Sequence, residues 1–96
     1  MRNRRVLTLL VALLAAGCAT EPPLQEMSDA RQAIAAAEQA DAARLAPIPL
    51  TSARRFLAQA ENHLRNRSFT MARANAVRAK DRAEEALNES QAVEPN

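Results

Sequence analysis

The chain has 96 residues, a formal net charge of +2 and a sequence pI near 9.5. That length allows one small domain, and a single Gly and a single Cys exclude a Gly-rich nucleotide loop, a disulfide framework and a cysteine zinc site. Because one His and two aromatic residues offer little for catalysis or base stacking, we expect neither an enzyme with a small-molecule substrate nor a nucleic-acid binder.

The first segment, residues 1–17, has the layout of an export signal. Three arginines among its first five residues precede an apolar run from Val6 to Ala16. A bilayer-spanning helix needs about 20 such residues, so the short run favours a cleaved signal peptide over a transmembrane anchor.

The signal ends in Leu14-Ala15-Ala16-Gly17-Cys18, a motif that resembles the lipobox of bacterial lipoproteins. The resemblance implies cleavage between Gly17 and Cys18, a diacylglycerol on the Cys18 thiol and an N-acyl chain on the new amine. The resemblance therefore implies a lipid anchor at Cys18, which is firm because two or three acyl chains hold a protein on a bilayer far better than one. No cofactor is expected. Ala19 stands where an Asp retains such lipoproteins at the inner membrane, which implies the periplasmic face of the outer membrane.

Cleavage changes the charge balance of the working protein. Of the 96 residues 79 remain, and loss of three of the 13 basic residues leaves ten against 11 acidic ones. The only Gly is lost as well, which disfavours tight hairpin turns and favours helices. The basic pI therefore belongs to the export signal and does not indicate a nucleic-acid partner.

The rest of the chain predicts an all-α domain at residues 24–92, between a lipidated tether at 18–23 and a frayed tail at 93–96. Helix one is predicted from Leu24 to Leu45, because the spacing of its apolar residues places one stripe on one face. That stripe consists of Met27, Ala30, Ile34 and Ala37. Asp41 interrupts it, and a turn containing Pro47 and Pro49 ends the helix near Ala46.

Two further helices are predicted to form an antiparallel hairpin. The first begins at Leu50 or Thr51 and ends at Arg67, the second runs from Phe69 to Gln91, and the short link at Ser68 makes them antiparallel. Residues with 3-4 spacing are predicted to pack the helices together: Leu57, Leu64, Phe69, Ala72, Ala76, Ala79 and Ala83. Asn75 is predicted to point outward. Since few large side chains are available for burial, we expect association with a second copy or an envelope protein.

Two resemblances accompany this pattern. Leu64 to Ala72 with Ala76 and Ala79 resembles the second half of a tetratricopeptide repeat, in which an aromatic residue opens a helix three positions before a small Ala. One such unit is present, and a solenoid generally needs about three. Ala33 to Ala37, Ala46-Pro47, and Arg67 to Arg73 together resemble the helical envelope lipoproteins labelled domain of unknown function 4398. That resemblance implies a helical fold and an envelope location, and it carries over no catalytic residues.

Charge is distributed unevenly along the working chain. Residues 21–46 carry a net charge of −3, residues 50–82 carry +6, and residues 84–96 carry −4. One interpretation is that the acidic first helix lies against the basic hairpin. The other is that Arg65, Arg67 and Arg73 contact a partner or an anionic envelope surface, such as lipopolysaccharide, phospholipid headgroups or peptidoglycan.

The remaining polar residues are interpreted as surface groups. His63 has no second His or free Cys with which to bind a metal, and Glu84, Glu85 and Glu89 are expected on a solvated helix face. Spacing of four residues predicts ion pairs between Glu61 and Arg65 and between Lys80 and Glu84. The function hypothesis is a non-enzymatic, lipid-anchored structural or interaction protein associating through alanine faces. The alternative is an adaptor of an envelope machinery that uses the basic hairpin.

Overall fold

A computed structural model describes residues 21–93, and all regular structure within that range is helical. The four helices are α1 (Leu24–Gln39), α2 (Ala42–Leu45), α3 (Pro47–Arg65) and α4 (Phe69–Val93). The predicted all-α class with a C-terminal helical hairpin is thereby confirmed. The predicted export signal at residues 1–17, Cys18, residues 19 and 20 of the predicted tether and most of the predicted tail lie outside the described residues.

The predicted first helix, from Leu24 to Leu45, is interrupted by a turn and is therefore two helices. Asp41 adopts a left-handed backbone with φ 62°, which ends α1 at Gln39. Its N–H donates to the Glu38 carbonyl at 3.0 Å, and its own carbonyl accepts the N–H of Arg44 at 3.1 Å. Asp tolerates this conformation better than most residues. The residue that interrupts the apolar stripe therefore also interrupts the helix.

Helix α3 begins at Pro47, three residues before the predicted start at Leu50. The N–H groups of the first helical turn have no intrahelical partner, so the missing N–H of Pro47 and Pro49 costs nothing there. The Leu50 N–H then makes a helical hydrogen bond to the Ala46 carbonyl at 3.3 Å. The prolines that separate α3 from the preceding helix thus form its first turn.

The α3–α4 turn, residues 66–68, has the hydrogen bonds of a helix closed through a left-handed residue. The N–H of Arg67 donates to the Leu64 carbonyl at 3.1 Å, and the N–H of Ser68 donates to the His63 carbonyl at 2.8 Å. Arg67 has φ 61°, so α3 ends at Arg65, two residues before its predicted end. Helix α4 starts at Phe69 as predicted and continues to Val93, two residues further than predicted.

Helix α4 lies at the centre and packs against both α1 and α3. One buried cluster joins Met27 of α1 to Ala60 of α3 and Ala76 of α4. A second cluster joins the C-terminal half of α1 to the first half of α3 and the second half of α4 through Ile34, Ala37, Leu50, Ala53, Ala83 and Ala86. Helix α3 is therefore antiparallel to α4, and α1 is parallel to it.

Candidate functional site

The alanine seam is the buried face of α4, formed by Ala72, Ala76, Ala79, Ala83 and Ala86. All five side chains are fully buried, because α1 and α3 of the same chain cover them. Leu57 and Leu64 pack against the buried clusters and are half-buried, and Phe69 at the start of α4 is half-buried as well. The alanine seam is therefore covered within one chain and is not exposed at its surface.

The prediction that Asn75 points outward is wrong. Asn75 is 4% exposed, and its Oδ1 accepts a 3.5 Å hydrogen bond from Nη1 of Arg78. The single 3-4 stripe underestimates the buried face, because helices lie on two sides of α4. Ser90, also on this face, is buried and donates its hydroxyl to the Ala86 carbonyl at 2.8 Å. Within residues 21–93 no buried side-chain nitrogen or oxygen lacks a hydrogen-bond partner.

Ion pairs between helices join the acidic first helix to the hairpin. Glu26 of α1 accepts from Arg73 of α4 at 3.2 Å, and Glu38 of α1 lies 3.6 Å from Arg54 of α3. The third pair has the opposite order of charges, with Arg31 of α1 lying 3.6 Å from Glu61 of α3. These side chains are a third to a half exposed, so each pair contributes at most about 1 kcal/mol. Intramolecular charge balance thus accounts for part of the uneven charge map.

The predicted pairs along single helices have different outcomes. Lys80 and Glu84 lie 3.8 Å apart, as predicted. Glu61 instead reaches across to Arg31, and among the described residues it makes no ion pair with Arg65. The spacing rule considers one helix alone, whereas a neighbouring helix offers Glu61 a second partner.

The three arginines predicted as a basic contact have two different environments. Arg73 is held within the fold, because its Nε donates to Glu26 and its Nη2 donates to the Glu21 carbonyl at 3.4 Å. Arg65 and Arg67 are exposed at the end of α3 and in the α3–α4 turn. They are the predicted contact residues that remain available to a surface outside the chain.

The candidate catalytic and metal-binding groups stay apart. His63 is half-buried at the end of α3, Glu84 pairs with Lys80, and Glu85 pairs with Arg82 at 3.0 Å. Over residues 21–93 the His, Cys, Asp and Glu side chains form no group of three that could hold a metal ion. Glu84 and Glu85 thus lie in surface ion pairs, as expected for a solvated helix face.

A groove of about 510 Å³ lies beside the start of α3. Pro47, Ile48 and Pro49 line one side, and the paired Arg82 and Glu85 line the other. Ile48 is 83% exposed. The groove thus presents apolar groups, the mutually paired Arg82 and Glu85, and the exposed guanidinium of Arg55.

The region that contains these helices matches a known protein family. The family model described as Domain of unknown function (DUF4398) matches residues 25–94. The chain belongs to this family. The DUF4398 match begins one residue into α1 and extends one residue past the end of α4, so it covers all four helices. A search of curated proteins and of solved structures finds no match to the chain.

Of the helices that the structure describes, none is both long enough and apolar enough to span a membrane.

Proposed function

We propose that the protein is a non-enzymatic, lipid-anchored protein of the bacterial envelope. It would be held at the periplasmic face of the outer membrane by acyl chains on Cys18, with the DUF4398 domain as a structural or interaction module. The observation that carries the proposal is the lipobox-like sequence Leu14 to Cys18, which follows a basic and apolar leader. Its Cys is the only one in the chain, and it stands where lipid attachment requires a thiol.

The placement of the domain supports this proposal. Only residues 19–23 separate Cys18 from the start of α1, and Pro23 is already fully buried against the helices. A tether this short keeps the domain beside the bilayer surface. The module is therefore suited to contacts at the membrane rather than to contacts far from it.

Replacement of the lipidated thiol tests the anchor directly. We expect Cys18→Ser to leave an unprocessed precursor and to abolish incorporation of labelled palmitate, because the serine hydroxyl is not a substrate for lipid transfer. Asn66→Ser is the control, since it changes an exposed residue outside the leader and leaves labelling intact. Continued processing and labelling of the Cys18→Ser protein would show that the lipobox interpretation is wrong.

A second candidate is an adaptor that binds a partner of an envelope machinery through the basic hairpin. The exposure of Arg65 and Arg67 favours it. Crosslinking of the full-length protein in intact envelopes separates the two functions. Crosslinks to another protein that are lost on reversal of both arginines support the adaptor, whereas crosslinks that survive the reversal argue against it.

A further inference from the structure

The α3–α4 turn lies at the same end of the domain as the start of α1. Met27, near the start of α1, clusters with Ala60 near the end of α3 and with Ala76 near the start of α4. At this end Arg73 joins the start of α4 to the start of α1, because it donates hydrogen bonds to Glu26 and to the Glu21 carbonyl. Since Arg73 is four residues into α4, about 6 Å along the helix from Phe69, the turn lies close to Glu21.

The proposed anchor is near the same end. Three residues of chain lead from Cys18 to Glu21, and an extended chain covers at most about 11 Å over that length. A membrane that holds the acyl chains therefore lies within reach of the α3–α4 turn. The opposite end of the domain, where α4 reaches Val93, lies about 36 Å further along that helix.

The side chains at this end fit an anionic lipid surface. Residues 62–73 contain three arginines and no acidic residue. Arg65 and Arg67 are exposed, and two large apolar side chains at the same end, Leu24 and Met71, are 65% and 49% exposed. Exposed cations next to apolar side chains are typical of segments that lie in the headgroup region of a bilayer.

Folding alone does not account for these charges. Arg67 has φ 61°, where Gly is the residue of lowest energy, yet the position carries a cation. Helix α4 also has Arg73 and Arg78 in its first half and Glu84, Glu85 and Glu89 in its second half. This order is opposite to the one that the helix dipole favours. It places cations of α3 and α4 at the anchor end, beside the acidic Glu21, Glu26 and Asp29 of the α1 side, and makes the far end of α4 acidic.

We propose that the α3–α4 turn docks on the anionic phospholipid headgroups of the membrane that holds the anchor, with Arg65 and Arg67 as the contacting cations. The docking rests on the lipid anchor of the proposed function. It orients α4 so that its acidic half points away from the membrane. Each arginine at an anionic leaflet raises the equilibrium constant for docking roughly fivefold, so two arginines favour the docked orientation about 30-fold.

The test measures access to the turn. Full-length lipidated protein with Asn66→Cys is reconstituted into vesicles of phosphatidylcholine, or of phosphatidylcholine mixed equally with phosphatidylglycerol. A membrane-impermeant maleimide then labels the new thiol, since the lipid occupies Cys18. We expect labelling to be roughly fivefold or more slower on the anionic vesicles, and high salt to restore the rate because it screens the attraction.

Three controls make the result specific. Gln91→Cys, near the far end of α4, should label equally on both vesicles. Arg65→Glu with Arg67→Glu should remove the protection of Asn66→Cys. The matched pair Arg55→Glu with Arg82→Glu should retain it, since it makes the same charge change at exposed arginines further from the turn.

Flotation with neutral phosphatidylcholine vesicles measures membrane attachment through the acyl chains, because these vesicles offer no charge attraction to the arginines. A protein that floats but whose Asn66→Cys labels equally on both vesicles overturns the docking and leaves the anchor standing. Protection that survives reversal of Arg65 and Arg67 also overturns the docking. A protein that does not float overturns the anchor, and the docking with it.

Discussion

Arg67 is the residue whose local conformation departs furthest from its intrinsic preference. A side chain with a Cβ in the left-handed helical region costs about 1 kcal/mol or more relative to Gly. The two backbone hydrogen bonds of the α3–α4 turn require this conformation. The fold therefore tolerates a local strain that a single substitution can relieve.

We predict that Arg67→Gly stabilises the domain by about 1 kcal/mol and raises its melting temperature by about 4–8 °C. Thermal unfolding of the full-length protein in detergent, followed by circular dichroism, measures the shift. Arg65→Gly is the control, because it removes the same charge from a helical residue and should destabilise by about 0.5–1 kcal/mol. If both variants melt earlier, the left-handed strain at Arg67 is not a determinant of stability.

Neither left-handed residue could be predicted from the sequence, since residues 24–92 contain no Gly to mark a turn. In the sequence, Asp41 is recognisable only as a polar residue that interrupts the apolar stripe of the predicted first helix. A polar residue ends a helix here because tertiary contacts on both sides, at Ala37 and Ala42, fix the bend.

At the scale of helices, sequence periodicity predicts where helices form better than it predicts which of their residues are exposed. The start of α4 and the Pro-containing turn follow directly from residue preferences near Phe69 and Pro47. The burial of Asn75 does not, because a helix covered on two sides buries positions that a one-sided stripe leaves outside. For the same reason α4 contributes mainly alanines to the core, while α1 and α3 contribute the larger Met27, Ile34 and Leu50.

We predict that Ala76→Glu and Ala79→Glu each abolish folding of the domain. An unpaired charge buried between helices costs about 3–5 kcal/mol, comparable with the roughly 4–10 kcal/mol that stabilises about 70 residues. Loss of helical circular dichroism at room temperature measures the effect. Val77→Glu is the matched control, because Val77 is 43% exposed beside the alanine seam and should retain the fold.

A second pair in α1 checks that the effect depends on burial and not on α4 alone. Ala37 is fully buried, whereas Ala35 is exposed two positions earlier in the same helix. Ala37→Glu should unfold the domain and Ala35→Glu should not. Equal effects within either pair would show that the assignment of buried faces is wrong.

For the whole molecule, the direction of α1 depends on side chains that are far apart in sequence. The ion pair between Arg31 and Glu61 and the one between Glu38 and Arg54 fit only an α1 that runs antiparallel to α3. Charge counts along the sequence predicted that helix one could lie on the hairpin, but they could not determine its direction or its register. The direction and register of α1 follow from the packing of its Met27 and Ile34 against alanines of α3 and α4.

We predict that Arg31→Cys with Glu61→Cys is crosslinked by a short bismaleimide within a single chain. The two native side chains meet at 3.6 Å, so the introduced thiols face each other across α1 and α3. The control, Arg31→Cys with Arg54→Cys, displaces one thiol by seven residues, about 10 Å along α3, and should crosslink poorly. Denaturing gel electrophoresis distinguishes the products. A crosslinked monomer means that α1 covers the alanine seam of its own chain, whereas a crosslinked dimer would mean that two copies exchange α1 and that self-association uses the seam.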